Sequence, residues 1–178
     1  MPDTQSSSWL PIITLLLGFG IAAINDFIRD MRTATRERSA AETKRREDLF
    51  QQRTIFQRQT LLDLQDALFK LGRATGSIHH EDKMALKKAG TWQKQRLDGE
   101  LDEDFRLGQM QNSILASRVR DNGVRELVEE FRMYCTRTAM AATPADADRA
   151  FSAAIEVHEP LNKRIGEILR GLEDMMNE

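Results

Sequence analysis

Residues 143–175 read TPADADRAFSAAIEVHEPLNKRIGEILRGLEDM, and this stretch decides the fold class. Thr143 and Pro144 are typical of a helix start, because Thr caps the first free amides and Pro tolerates the first turn. The side chains that follow recur at alternating intervals of three and four residues, so they share one helix face. This predicted seam runs through Phe151, Ala154, His158, Leu161, Ile165, Ile168, Leu172 and Met175. We expect it to pack inside a bundle, against a partner, or against a second copy of the chain.

The rest of the chain is also typical of helices. Only four prolines and ten glycines interrupt 178 residues, and no stretch alternates apolar and polar residues as a strand does. A long helix is predicted from Asp26 to about Ala89, with an apolar face that begins at Phe50 and strengthens around residues 61–71. A loop over 90–100, a helix from about Leu101, a stop at Asn122-Gly123 and a third helix follow. The predicted fold is all-α: a transmembrane helix continuing into a long helix and a bundle of about four helices.

The N-terminal segment is predicted to cross a membrane. Residues 4–25 carry no charge, and as a helix they would span about 33 Å, close to the thickness of a hydrocarbon core. The absence of basic residues before this segment argues against a cleaved signal peptide. The predicted anchor residues are Trp9, Leu15, Leu16, Leu17, Gly18, Phe19 and Ala22. Gly18 and Ala22 form a small-xxx-small pair through which two anchors could associate.

Basic residues predict the orientation of the anchor. None precedes it, whereas seven lie in residues 29–46, so the positive-inside rule places the N-terminus outside and the C-terminus in the cytoplasm of a cell inner membrane. Arginines at the start of this stalk are expected to contact anionic lipid headgroups; they are Arg29, Arg32, Arg36 and Arg38. The predicted segments are an extracytoplasmic N-terminus (1–8), the anchor (9–28), a basic stalk (29–48) and a cytoplasmic bundle (49–178).

Candidate chemistry is sparse. In His79-His80-Glu81-Asp82 only His79 and Asp82 have the spacing that places two ligands on one helix face, so a solvated polar face or a helix contact is favoured over a metal site. Cys135 lies among apolar residues and is interpreted as a small buried side chain. His158 is interpreted as a core histidine satisfied by a carbonyl, with a pH-sensitive or register-setting contact as the alternative.

These observations predict no enzyme activity, no metal and no cofactor. The mildly acidic balance of residues 47–178, 19 basic against 23 acidic residues, argues against a nucleic-acid partner. The expected function is a membrane-tethered helical interaction module, an adaptor or accessory subunit that binds a protein partner or itself. The alternative is a self-assembling, pore-forming effector gated by its bundle, although the apolar anchor offers no polar stripe to line a pore.

Overall fold

The computed structural model of the chain describes the backbone of residues 10–92 and 99–177, and the side chains of residues 29, 31, 33, 36–92 and 99–176. Four helices are present: α1 (Leu10–Ala89), α2 (Gly99–Arg118), α3 (Asn122–Ala139) and α4 (Pro144–Asn177). No strand occurs in these described segments. The predicted all-helical fold is therefore confirmed for this part of the chain.

Two compact units divide the chain, Met1–Phe50 and Gln51–Glu178. In the first unit every described side chain is exposed, including Arg29, Arg36 and Arg38. This exposure agrees with a segment that is polar on all sides. The second unit contains the apolar core and is called the bundle below.

The predicted anchor, residues 9–28, has no described side chains, and residues 1–9 lie outside the described backbone. Among the residues that the structure does describe, no helix is both long enough and apolar enough to cross a membrane. The transmembrane segment therefore stays a prediction.

Successive helices of the bundle run antiparallel. The connections are short, three residues between α2 and α3 and four between α3 and α4, which favours antiparallel neighbours. Side-chain contacts join each helix to the next and α4 back to α1: Ala67–Asn112, Gln109–Arg132, Asp121–Arg164 and Asp148–His79. The result is an up-down-up-down arrangement of four helices around one core.

The largest fully buried side chains of the core come from the apolar stripe of α1 and from the predicted seam of α4. Each fully buried Leu, Ile or Val stabilises the fold by about 1.5–3 kcal/mol relative to an exposed one. The buried cluster consists of Leu61, Leu64, Leu68, Leu71, Val119, Val124, Val128, Phe131, Cys135, Ala154, Leu161 and Ile165. Phe50 is half exposed and the first buried apolar side chain of α1 is Leu61, so the buried apolar face begins about three turns later than predicted.

Helix starts explain one success and one error of the sequence analysis. The Thr143 hydroxyl accepts a hydrogen bond from the Asp146 amide at 3.2 Å, so the predicted start of α4 is confirmed. The predicted stop at Asn122-Gly123 is wrong, because both residues lie in the first turn of α3. The helices separate at residues 119–121, and Asp121 caps α3 by accepting from the Val124 amide at 2.9 Å.

Close packing of α1 against α2 depends on a glycine and a buried amide. A Cβ atom at Gly108 would lie 3.3 Å from the Cα and Cβ of Leu71, so the missing side chain lets the two backbones approach. One turn further, the fully buried Asn112 donates to the carbonyls of Ala67 at 2.9 Å and Gly108 at 2.8 Å.

Candidate functional site

An apolar cleft opens between α1 and α4 and is closed on its inner side by α3. Its volume is about 300 Å³, the lower end of the range for ligand pockets and roughly twice that of an engineered cavity known to bind benzene. Phe131 and Cys135 of α3 form the floor. We call this space the apolar cleft.

Small residues in its walls create the space. On α1 the wall includes Gly72 and Thr75, and on α4 it includes Phe151 and Ala154. A Cβ atom at Gly72 would lie 3.6 Å from the ring of Phe131, an ordinary contact distance, so the absent side chain contributes directly to the cleft.

The rim of the cleft exposes large apolar side chains on both walls. Phe69 of α1 is 63% exposed and Ile155 of α4 is 58% exposed, and both line the opening. Single exposed apolar residues are common on protein surfaces, but an apolar rim around an apolar cavity is typical of an interaction site.

The polar groups inside the cleft are uncharged or already have a hydrogen-bond partner. The Thr75 hydroxyl donates to the Leu71 carbonyl at 2.8 Å. Burial raises the pKa of the Cys135 thiol to about 11, so sulfur is protonated at neutral pH and is a poor nucleophile. Burial also lowers the pKa of His158, whose ring lies 5.4 Å from that of Phe131, centre to centre. The Asn162 amide nitrogen lies 3.1 Å from the ring nitrogens of His158.

One charged side chain, Arg73, lines the cleft from its α1 edge. It is exposed, and none of the ion pairs among the described residues includes it. Lys70, its neighbour one turn earlier on α1, is engaged by Asp66 at 2.7 Å. The cleft therefore combines an apolar interior with one positive charge at its edge.

A second cluster surrounds His79. Its Nε2 lies 2.9 Å from Oδ1 of Asp148 on α4, and the same oxygen accepts from Lys83 at 2.7 Å. The hydrogen bond from Lys83 lowers the pKa of Asp148. The centre of the His79 ring lies 5.0 Å from that of the Phe151 ring and 6.5 Å from that of the Trp92 ring. His79 thus makes a contact between α1 and α4, one of the roles considered from the sequence.

The neighbours of His79 divide between interior and surface. Asp82 is buried and its pKa is raised by burial, whereas His80 and Glu81 are exposed. Within the described parts of the chain, no three His, Cys, Asp or Glu side chains lie close enough together to hold a metal ion.

The predicted seam residues divide between the core and the cleft. Leu161 and Ile165 are fully buried in the core, and Ile168 and Leu172 pack against it. Phe151, Ala154 and His158 line the cleft, and Met175 is 45% exposed. The structure thus brings the first turns of the seam to an open site, packs its middle into the core, and leaves its last residue at the surface.

The remaining predicted site residues lie in the first unit. Arg29, Arg36 and Arg38 are exposed, and the side chain of Arg32 is outside the described set. The predicted anchor residues are outside it as well; they are Trp9, Leu15, Leu16, Leu17, Gly18, Phe19 and Ala22. Their predicted lipid contacts stay predictions.

Sequence reasoning missed the rim and the edge charge. Phe69 was assigned to the packed face of α1, although it directly follows Leu68 and so points about a quarter turn away from it. Ile155 was left out of the seam, since it breaks the alternating spacing between Ala154 and His158. A large apolar residue beside, rather than on, a regular stripe was the available signal at both positions.

No known protein family, no characterised protein and no solved structure matches this chain.

Proposed function

We propose that this chain is a helical interaction module, tethered to a membrane by residues 9–28, that binds a segment of a partner protein in the apolar cleft on the cytoplasmic side. The observation that carries the proposal is the cleft with its exposed rim of Phe69 and Ile155. The uncharged run of residues 4–25 and the basic stalk that follows it support the tether.

The rim supplies a favourable free energy of binding. Burying a Phe or Ile side chain completely is worth about 1.5–3 kcal/mol, and each rim residue is now more than half exposed. Covering both therefore contributes on the order of 2–3 kcal/mol. A side chain of the partner that fills the cleft adds a similar amount, in the way that anchor residues dominate other interfaces.

A pair of double variants tests this proposal. In the first, Phe69→Ser and Ile155→Ser remove the apolar rim. In the matched control, Met110→Ser and Ile114→Ser remove two apolar residues of similar exposure from α2, 46% and 44%. Full-length proteins are extracted from membranes of the native host, and companions present in stoichiometric amount are identified by mass spectrometry.

The proposal predicts that the wild type and the α2 control retain the same companion, whereas the rim variant loses it. Circular dichroism spectra and melting temperatures that match those of wild type show that both variants fold. A companion retained by the rim variant, or lost equally from both, contradicts the proposal. Recovery of the wild type alone, as a discrete oligomer, also contradicts it and favours self-assembly.

A further inference from the structure

We infer that the partner segment is an acidic amphipathic helix, which inserts a large apolar side chain into the cleft and pairs a carboxylate with Arg73. This inference rests on the proposed function, since it specifies the partner of the same cleft. Three features of the cleft lead to it: the exposed rim, the lack of available polar groups, and the position of one charge.

The exposed rim favours a macromolecular segment over a small ligand. A small molecule inside a cavity of about 300 Å³ would leave Phe69 and Ile155 at the surface, where each is more than half exposed. A segment lying across the opening covers both rim residues while one of its side chains fills the interior. Its path follows the groove between α1 and α4, as in helix-in-groove recognition.

The polar groups of the cleft favour a helix over an extended segment. An extended chain brings unpaired backbone N–H and C=O groups into the groove, and each needs a hydrogen-bond partner. The Thr75 side chain is only 1% exposed and its hydroxyl donates to the Leu71 carbonyl, and the His158 ring is approached by the Asn162 amide. A helix satisfies its backbone internally and presents only side chains.

The charge at the edge selects an acidic segment. Arg73 is exposed, lines both the cleft and a second groove that contains Asp104 of α2, and takes part in none of the described ion pairs, so its guanidinium is available to a carboxylate of a segment in the cleft. Residues 47–178 carry 19 basic and 23 acidic residues. Long-range attraction therefore favours a basic ligand, and a preference for an acidic one has to come from this local contact.

Two synthetic helical peptides measure the preference. They share one apolar face with a central Trp and differ only in carrying Glu or Lys at every charged position. Binding is followed by fluorescence anisotropy to the full chain in phosphatidylcholine nanodiscs, with empty discs as the blank. Wild type is expected to bind the Glu peptide roughly tenfold more tightly than the Lys peptide, the effect of a charge-assisted pair.

Two variants assign the preference to the cleft. Arg73→Glu is expected to reverse it in favour of the Lys peptide. Gly72→Leu fills the cleft and is expected to weaken both peptides roughly tenfold or more. The added Cβ has room at 3.6 Å from Phe131 and Leu is a better helix former than Gly; a melting temperature equal to that of wild type shows that the variant folds.

Several outcomes overturn the inference. They are a wild type that prefers the Lys peptide or neither peptide, a preference unchanged by Arg73→Glu, and binding unaffected by Gly72→Leu. Saturable binding of decanoate without binding of the Glu peptide would assign the cleft to a small anionic amphiphile instead. If the rim variant loses its native companion but the peptides give any of these results, the inference of an acidic helix fails and the proposed function is still supported. Retention of the companion defeats the proposed function whatever the peptides do.

Discussion

Replacing Asn112 with Asp is predicted to destabilise the bundle strongly and in a pH-dependent way. The Asn112 side chain is fully buried, and its amide nitrogen donates to the carbonyls of Ala67 and Gly108 at 2.9 and 2.8 Å. An Asp carboxylate places a negative oxygen against those two carbonyls. An unpaired buried charge of this kind costs about 3–5 kcal/mol.

Asn112→Leu is the matched control, because Leu has the same number of side-chain heavy atoms, branches at the same carbon and carries no charge. It loses two hydrogen bonds, each worth about 1 kcal/mol, and it removes the Asn112 Oδ1 atom, which is buried without a hydrogen-bond partner among the described atoms. The added apolar burial contributes about 2 kcal/mol. Both carbonyls keep their backbone partners within α1 and α2, so the net change is expected to stay within about 1 kcal/mol.

The pH dependence has a definite sign. Burial raises the pKa of the new carboxyl in the folded state, so the folded Asn112→Asp variant binds a proton more readily than the unfolded chain does. The loss in free energy of unfolding of Asn112→Asp relative to wild type is therefore smallest near pH 4, where a protonated carboxyl donates to one carbonyl. It is largest at pH 7.

Urea unfolding measures both effects. Trp92 fluorescence reports on the bundle, since its indole donates to the Ala141 carbonyl at 2.8 Å; a Trp9→Phe background removes the second of the two tryptophans. The explanation is refuted if Asn112→Asp lowers the free energy of unfolding no more than Asn112→Leu does at pH 7. It is also refuted if Asn112→Asp lowers it by the same amount at pH 4 as at pH 7.

Three further substitutions test the core and the caps by the same unfolding assay. The pKa of Cys135 is about 11 in the folded state, against an ordinary value of 9.0. Between pH 9 and 11 the free energy of unfolding of wild type is therefore expected to fall by up to about 1.4 kcal/mol per pH unit relative to that of Cys135→Ala. The same pH dependence in both proteins would contradict burial of the thiol. Asp121→Ala is expected to cost about 1–2 kcal/mol, because it removes the cap on Val124 and the pair with Arg164. The hydrogen bond from Arg164 lowers the pKa of Asp121, so this stability is present above pH 4 and lost as the pH falls further; an equal deficit at acidic and neutral pH would argue against the pair. Thr143→Ala is expected to cost about 1 kcal/mol through loss of the α4 cap, and an unchanged midpoint would show that the cap is dispensable.

Local patterns were enough to predict most of the helices. The start at Thr143-Pro144 was visible because a cap and a proline act within one turn. The buried positions Leu161 and Ile165 follow from the spacing of α4. The break before α3 was placed too late because Asn-Gly is a common turn, whereas Asp121 supplied an equally local start signal.

The apolar cleft could not be predicted, since it arises from residues far apart in sequence. Its space comes from Gly72 and Ala154 on opposite walls, and its floor from Phe131. Spacing within one helix assigns Phe151 and His158 to a packed face, but it does not show that Gly72 on the opposite wall leaves an open space beside them. Only the relative placement of three helices turns that end of the seam into an open site.

Photocrosslinking in native membranes tests the central claim most directly. A photoreactive amino acid is introduced at Ile155 on the cleft rim and, as the matched control, at Ile114 on α2, which are 58% and 44% exposed. We predict that illumination links Ile155 variants to one partner protein, that Ile114 variants give no such product, and that Gly72→Leu abolishes the link. The same product from both positions, or a link from Ile155 that survives Gly72→Leu, would contradict partner binding in the cleft.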